Sequence, residues 1–111
     1  MKLIIAIIAS HKLEDVVQEL DQAKIYRKTV TSVLGVGEQR TEVYRGTQET
    51  GNLEKKIKIE IAVNDEAVES TIQAILKGAR GDRGDGKIFV LNIEDCVSIE
   101  RDIRGRDACG Q

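Results

Sequence analysis

Two segments of this 111-residue chain, Leu3 to Ala9 (LIIAIIA) and Lys87 to Ile93 (KIFVLNI), are β-rich and apolar on both alternating faces. A strand of that kind is covered on both sides. A third segment, Lys55 to Val63 (KKIKIEIAV), alternates instead: Ile57, Ile59, Ile61 and Val63 share one face, and Lys58, Glu60 and Ala62 the other. Thr29 to Val36 (TVTSVLGV) is β-branched and reads as a further strand.

Helical spacing fills the gaps. Leu13, Val16, Val17 and Leu20 recur as one face of a helix over roughly Lys12 to Ala23, with Ser10 available as its cap. Val68, Thr71, Ile72, Ile75 and Leu76 trace a second helix, which Asn64, Asp65 and Glu66 would cap and Gly78 would end. A weaker strand is expected around Cys96 to Ile99, followed by an arginine-rich tail over about residues 100–111.

The order is β-α-β-β-α-β, an α+β, ferredoxin-like arrangement in a single domain over residues 1–111. Its two helices cover one face of the sheet, yet the first and last strands are apolar on both. The expected cover for the other face is a second copy of the chain.

Composition narrows the function. Seventeen basic residues against 19 acidic ones give a net charge of −2, with no general pull toward nucleic acid or a membrane surface. Only Tyr26, Tyr44 and Phe89 are aromatic, too few for a base-stacking surface. One histidine, His11, and two cysteines without a Cys-x-x-Cys pair make a poor zinc ligand set, so no metal site is expected. The longest apolar run is far below a membrane span, and the chain reads as cytoplasmic. Catalytic arrangements are missing, and an enzyme is not expected.

Two glycine sites stand out. The loop over about residues 79–87 (ARGDRGDGK) has glycines that can turn backbone N–H groups inward, with Arg80, Arg83 and Lys87 as cations for phosphate. Gly81 to Lys87 even has the G-x-x-x-x-G-K spacing, but Ile88 stands where a magnesium-binding hydroxyl is needed, and the loop runs from helix into strand. A phosphate cradle and a plain turn both remain open. Gly35 and Gly37, where a strand ends, mark either a close approach to a ligand or a tight departure from the sheet. The stretch over about residues 37–54 has no sustained period and is long for so small a domain, which suggests a functional or mobile loop, with a plain flexible hairpin tip as the alternative. Arg101, Arg104 and Arg106 read either as a solvated mixed-charge tail or as phosphate contacts across a subunit boundary. Cys96 and Cys109, if they met, could form a redox-sensitive clasp.

Four collinear segments, Thr29 to Gly37 (TVTSVLGVG), Thr41 to Gly46 (TEVYRG), Lys56 to Ile61 (KIKIEI) and Gly84 to Val90 (GDGKIFV), resemble the PII signal-transduction proteins over roughly residues 1–100. The resemblance implies a homotrimer with adenine nucleotides in the clefts between subunits. Gly35, Gly37 and Gln39 then lie at the base of a mobile T-loop, Gly84, Asp85, Gly86 and Lys87 in the phosphate-cradling B-loop, and Thr29, Glu60 and Ala62 around the adenosine. Gln39 and Lys56 match positions that handle magnesium-bound 2-oxoglutarate.

Departures from the family pattern modify that picture. Glu49 falls where the family's modified tyrosine would be, Glu38 replaces an arginine, and Ser98 and Glu100 align with two arginines that hold the terminal phosphate of ATP. Loss of cations and gain of carboxylates disfavours a triphosphate, so ADP or AMP is the expected nucleotide, with ATP and magnesium possible if Arg101 or Arg104 compensates. Together with Cys109-Gly110, this looks like PII-like proteins linked to inorganic carbon and carboxysomes. That branch implies bicarbonate as co-ligand, contacted by Gln39, Arg40 and Lys56, and a protein partner (a transporter, an enzyme or a carboxysome component) engaged through the T-loop. The alternative is a conventional nitrogen-regulatory PII protein sensing ATP, ADP and 2-oxoglutarate.

Overall fold

The computed structural model describes residues 1–36, 42–44, 47–49, 53–81 and 86–110. Strands β1 (Lys2–Ala9), β2 (Thr29–Gly35), β5 (Glu54–Val63) and β6 (Lys87–Asn92) form one antiparallel sheet in the order β2-β5-β1-β6. Helices α1 (Leu13–Gln22) and α2 (Val68–Gly78) connect β1 to β2 and β5 to β6, and they pack on one face. This is the expected α+β, ferredoxin-like split motif.

The core lies between that face and the helices. Ile4, Ala6 and Ile8 of β1 and Ile57, Ile59, Ile61 and Val63 of β5 meet Val16 and Leu20 of α1 and Ala74 and Ile75 of α2. The period of two decides which residues are in it: every second side chain of the two central strands faces the helices, and each large one that becomes fully buried contributes about 1.5–3 kcal/mol. Thr71 is fully buried and its hydroxyl donates to the Ala67 carbonyl at 2.7 Å, so its polar group is satisfied inside the helix.

Gly78 ends α2 as expected, but end-capping is not its main task. A Cβ at this position would stand 2.5 Å from Val16 Cα and 2.9 Å from the Asp15 carbonyl oxygen. The glycine lets the two helices touch backbone to backbone.

Several local expectations are corrected. Ser10 and the Asn64–Glu66 segment do not cap the helices with their side chains. Residues Ser10–Lys12 and Asp65–Ala67 instead form single 3-10 turns leading into α1 and α2, with no side-chain cap bond. The Asp65 carboxylate is turned outward and accepts from the Met1 ammonium at 2.8 Å, a bond that holds it below its ordinary carboxylate range. Within the stretch that has no sustained period, β3 (Glu42–Tyr44) pairs with β4 (Thr47–Glu49), in keeping with the hairpin alternative. Three-residue strands are too short to set up a readable period.

The C-terminal segment is not a loose tail either. β7 (Val97–Ser98) and β8 (Ile103–Arg104) form a small hairpin, and α3 (Arg106–Cys109) folds back from it. The turn uses Asp102 at φ 54° and Gly105 at φ 74°. Arg106 then forks onto both oxygens of Glu66, and Asn64 donates to the Arg106 carbonyl at 3.1 Å, tying α3 to the β5–α2 junction.

Candidate functional site: the open face of the sheet

The face turned away from the helices is laid out by register. Thr29, Thr31, Val33 and Gly35 of β2 stand opposite Glu60, Lys58, Lys56 and Glu54 of β5. Across β1, Leu3, Ile5, Ile7 and Ala9 separate β5 from Leu91, Phe89 and Lys87 of β6. The expected site residues Thr29, Gly35, Lys56, Glu60, Ala62 and Lys87 therefore share one face, and Thr29 and Glu60 are directly paired. This common face follows from the alternation in Lys55 to Val63.

Lys56 is the unusual member. It carries a cation on the open face and yet is only 7% exposed. Its methylene chain lies along Gly35, where a Cβ would stand 3.6 Å from Lys56 Cδ. The long stem covers apolar surface, and no ion pair among the described residues uses the ammonium. Gly35 itself is in ordinary contact distance of that stem.

Beside it, Lys58 and Glu60 form a 3.6 Å ion pair, with both side chains about one-third exposed. Lys58 stands in one cross-strand row with Thr31, Ile7 and Lys87. Gly86 immediately precedes Lys87. A pocket of about 180 Å³ opens under this corner, walled by Ile8, Ile75, Leu76, Ala79 and Ile88.

Lys12 is a residue that the sequence reading missed. Its ammonium donates to the Arg80 carbonyl at 2.8 Å, at the start of the glycine-rich loop. Gly81 follows in the left-handed region at φ 87°. A lysine in a helix-start pattern gives no sign of such a contact, because its partner is 68 residues away.

The remaining expected residues are not all joined in one chain. Gly37, Gln39, Arg40, Gly84 and Asp85 lie outside the described residues. Arg101 and Arg104 are in the hairpin beyond the end of β6, whereas Gly86 and Lys87 are at its start. Five residues of extended strand, about 17 Å, separate Lys87 from Asn92. Arg104 is engaged there by Asp95, with Nη1 3.3 Å from Oδ2. One chain thus holds Lys56, Gly86 and Lys87 at one end of the open face and the hairpin arginines at the other.

No group of three or more histidine, cysteine or acidic residues among the described residues is placed to hold a metal ion. No helix among them is long and apolar enough to cross a membrane.

Residues 1–103 match the family described as "Nitrogen regulatory protein P-II". The chain is similar to nitrogen regulatory protein GlnK1 of Methanosarcina mazei, at 46% identity over 113 residues, covering 97% of each chain. It is also similar to a nitrogen regulatory protein P-II of Mesorhizobium japonicum, at 46% identity with 97% and 99% coverage. Among solved structures, Arabidopsis thaliana PII bound to citrate superposes with a TM-score of 0.79 at 32% identity, covering 99% of this chain and 90% of that one. The family is one of regulatory signalling proteins. With the split sheet, the two helices on one face and a match over nearly its whole length, this chain belongs to the P-II nitrogen regulatory protein family.

Proposed function

We propose that the chain is a conventional PII-type sensor, which binds an adenine nucleotide between subunits of a homotrimer together with 2-oxoglutarate. The observation that carries this reading is Lys56: a nearly buried cation, unused by any described ion pair, at the end of the open face. Such a group is suited to a carboxylate ligand that arrives with its own charge and excludes water. The nitrogen-regulatory names of the relatives support this reading over the inorganic-carbon one.

The trimer has support of two kinds. Ile5, Ile7, Phe89 and Leu91 lie on a face that no described element of the same chain covers, and Phe89 and Leu91 are nearly half exposed. The expected phosphate residues are also split between the two ends of the sheet, so a second chain is needed to bring Arg101 or Arg104 toward Lys87. Thr29, Glu60 and Ala62 then flank the adenosine, Gly84, Asp85, Gly86 and Lys87 the phosphates, and Gly35, Gly37, Gln39 and Arg40 the loop base. The signal passes to a partner protein in the cytoplasm through the segment over about residues 37–54.

A second reading is favoured by Ser98 and Glu100, which stand where the resemblance expects cations. They weaken the case for a triphosphate and leave ADP or AMP with bicarbonate as the inorganic-carbon alternative. Calorimetric titration of AMP, ADP and ATP, each with magnesium and 2-oxoglutarate and separately with bicarbonate, separates the two. The expected result is ATP binding tightened by 2-oxoglutarate and, reciprocally, 2-oxoglutarate binding tightened by ATP. Tighter ADP or AMP binding that responds only to bicarbonate overturns it in favour of the second reading. Light-scattering mass of the same sample tests the trimer.

A further inference from the structure

The two cysteines are 13 positions apart in sequence, but the C-terminal fold brings them together. Val97 pairs with Arg104 and Ser98 with Ile103 in the β7–β8 hairpin. The ladder extends one step further, because the Gly105 amide donates to the Cys96 carbonyl at 2.8 Å. The chain then turns into α3, and the Cys109 amide donates back to the Gly105 carbonyl at 3.0 Å. Cys109 is thus one helical turn above the residue that faces Cys96. Both are free thiols, Cys96 partly accessible and Cys109 buried.

We propose that Cys96 and Cys109 form a reversible dithiol–disulfide site, oxidised by small-molecule disulfides of the glutathione class. Accessibility sets the order of events. The Cys96 thiolate attacks one sulfur of the disulfide, and the first glutathione thiolate leaves and takes a proton. The Cys109 thiol gives its proton to water, and its sulfur attacks Cys96 and expels the second glutathione thiolate. Two protein thiols are oxidised, and one disulfide is reduced to two thiols. The product closes residues 96–109 into a covalent ring and fastens α3 to β7. Burial and the neighbouring Cys96 sulfur both raise the Cys109 pKa, which suits it to the resolving role and leaves first attack to Cys96. The site does not depend on the nucleotide reading above.

The test treats the reduced full-length chain with oxidised glutathione and follows intact mass, free-thiol titration and a non-reducing gel. The wild type is expected to lose both titratable thiols, become lighter by two hydrogens, stay a single chain on the gel and recover fully with dithiothreitol. Cys109→Ser is expected to stop at the mixed disulfide, heavier by one glutathionyl group. Cys96→Ser, a change at the partly exposed position, keeps its Cys109 thiol under the same conditions and serves as the control should Cys109→Ser fold poorly. A wild-type chain that keeps both thiols, retains glutathione adducts or forms disulfide-linked dimers overturns the proposal.

Discussion

Gly78 of α2 lies against Val16 of α1 with no room for a methyl group: a Cβ there would be 2.5 Å from Val16 Cα and 2.8 Å from its amide nitrogen. Both obstacles are backbone, so a side-chain rotation cannot relieve the clash. Gly78→Ala is expected to destabilise the fold by about 2–3 kcal/mol, because overpacking outweighs alanine's better helix propensity. Urea unfolding measures it. A midpoint equal to the wild type's would mean that the helices separate at little cost.

Lys56 gives the opposite expectation. Lys56→Met keeps the stem that covers Gly35 and removes only a poorly solvated charge, so stability should stay within about 1 kcal/mol of the wild type or rise. Binding of 2-oxoglutarate should fall by at least about tenfold, the worth of one charge-assisted contact. Calorimetry and denaturation on the same variant separate the two effects. Unchanged 2-oxoglutarate binding would remove Lys56 from the site.

The fork from Arg106 to Glu66 joins α3 to the start of α2, and both side chains are more than half exposed. Solvent screening limits such a pair to about 0.5–1 kcal/mol. A double-mutant cycle on Arg106→Ala and Glu66→Ala should give a coupling in that range, shrinking as salt is raised. A coupling that salt leaves unchanged would point to packing as its source.

The Cys109 thiol is held above its ordinary value of 9.0, first by burial and then by Cys96. The folded state therefore favours the protonated thiol. The resulting stability is fully present below pH 9.0 and is lost as the pH rises through the higher folded value. Alkaline unfolding should be steeper in the wild type than in Cys109→Ser. Iodoacetamide labelling of Cys109 in the native state should also lag behind that of Cys96 at every pH, and faster labelling of Cys109 would contradict the geometry.

Much of this fold was legible because the strongest signals were periodic. The alternation from Ile57 to Val63 and the helical spacing of Val16 and Leu20 each named their buried faces correctly, since burial follows backbone geometry. The short strand β7 falls within the segment Cys96 to Ile99 that reads as a weak strand, but its pairing with β8 and the helix α3 were not legible. Their elements are two to four residues long, and they are held by single contacts such as Asn64 to the Arg106 carbonyl, which leave no pattern in the chain. Gly78 was read as a stop signal, although its reason lies in Val16, a residue 62 positions earlier. For the site, alternation explained why Thr29, Lys56, Glu60 and Lys87 share a face. It did not reveal that Lys56 lies nearly buried along Gly35, because the covering surface belongs to another strand.

Strand β5 carries the two aspects of the molecule on opposite sides of the same ten residues. Its isoleucines belong to the core, and Lys56 and Glu60 face outward between them. Ligands that grip those two side chains hold an interior strand of the sheet, bonded to neighbours on both edges. Occupancy would then register as slower hydrogen exchange at the amides of Ile57, Ile59 and Ile61. The sheet serves as an anvil, and any movement that reports the ligand to another protein has to come from segments attached to it.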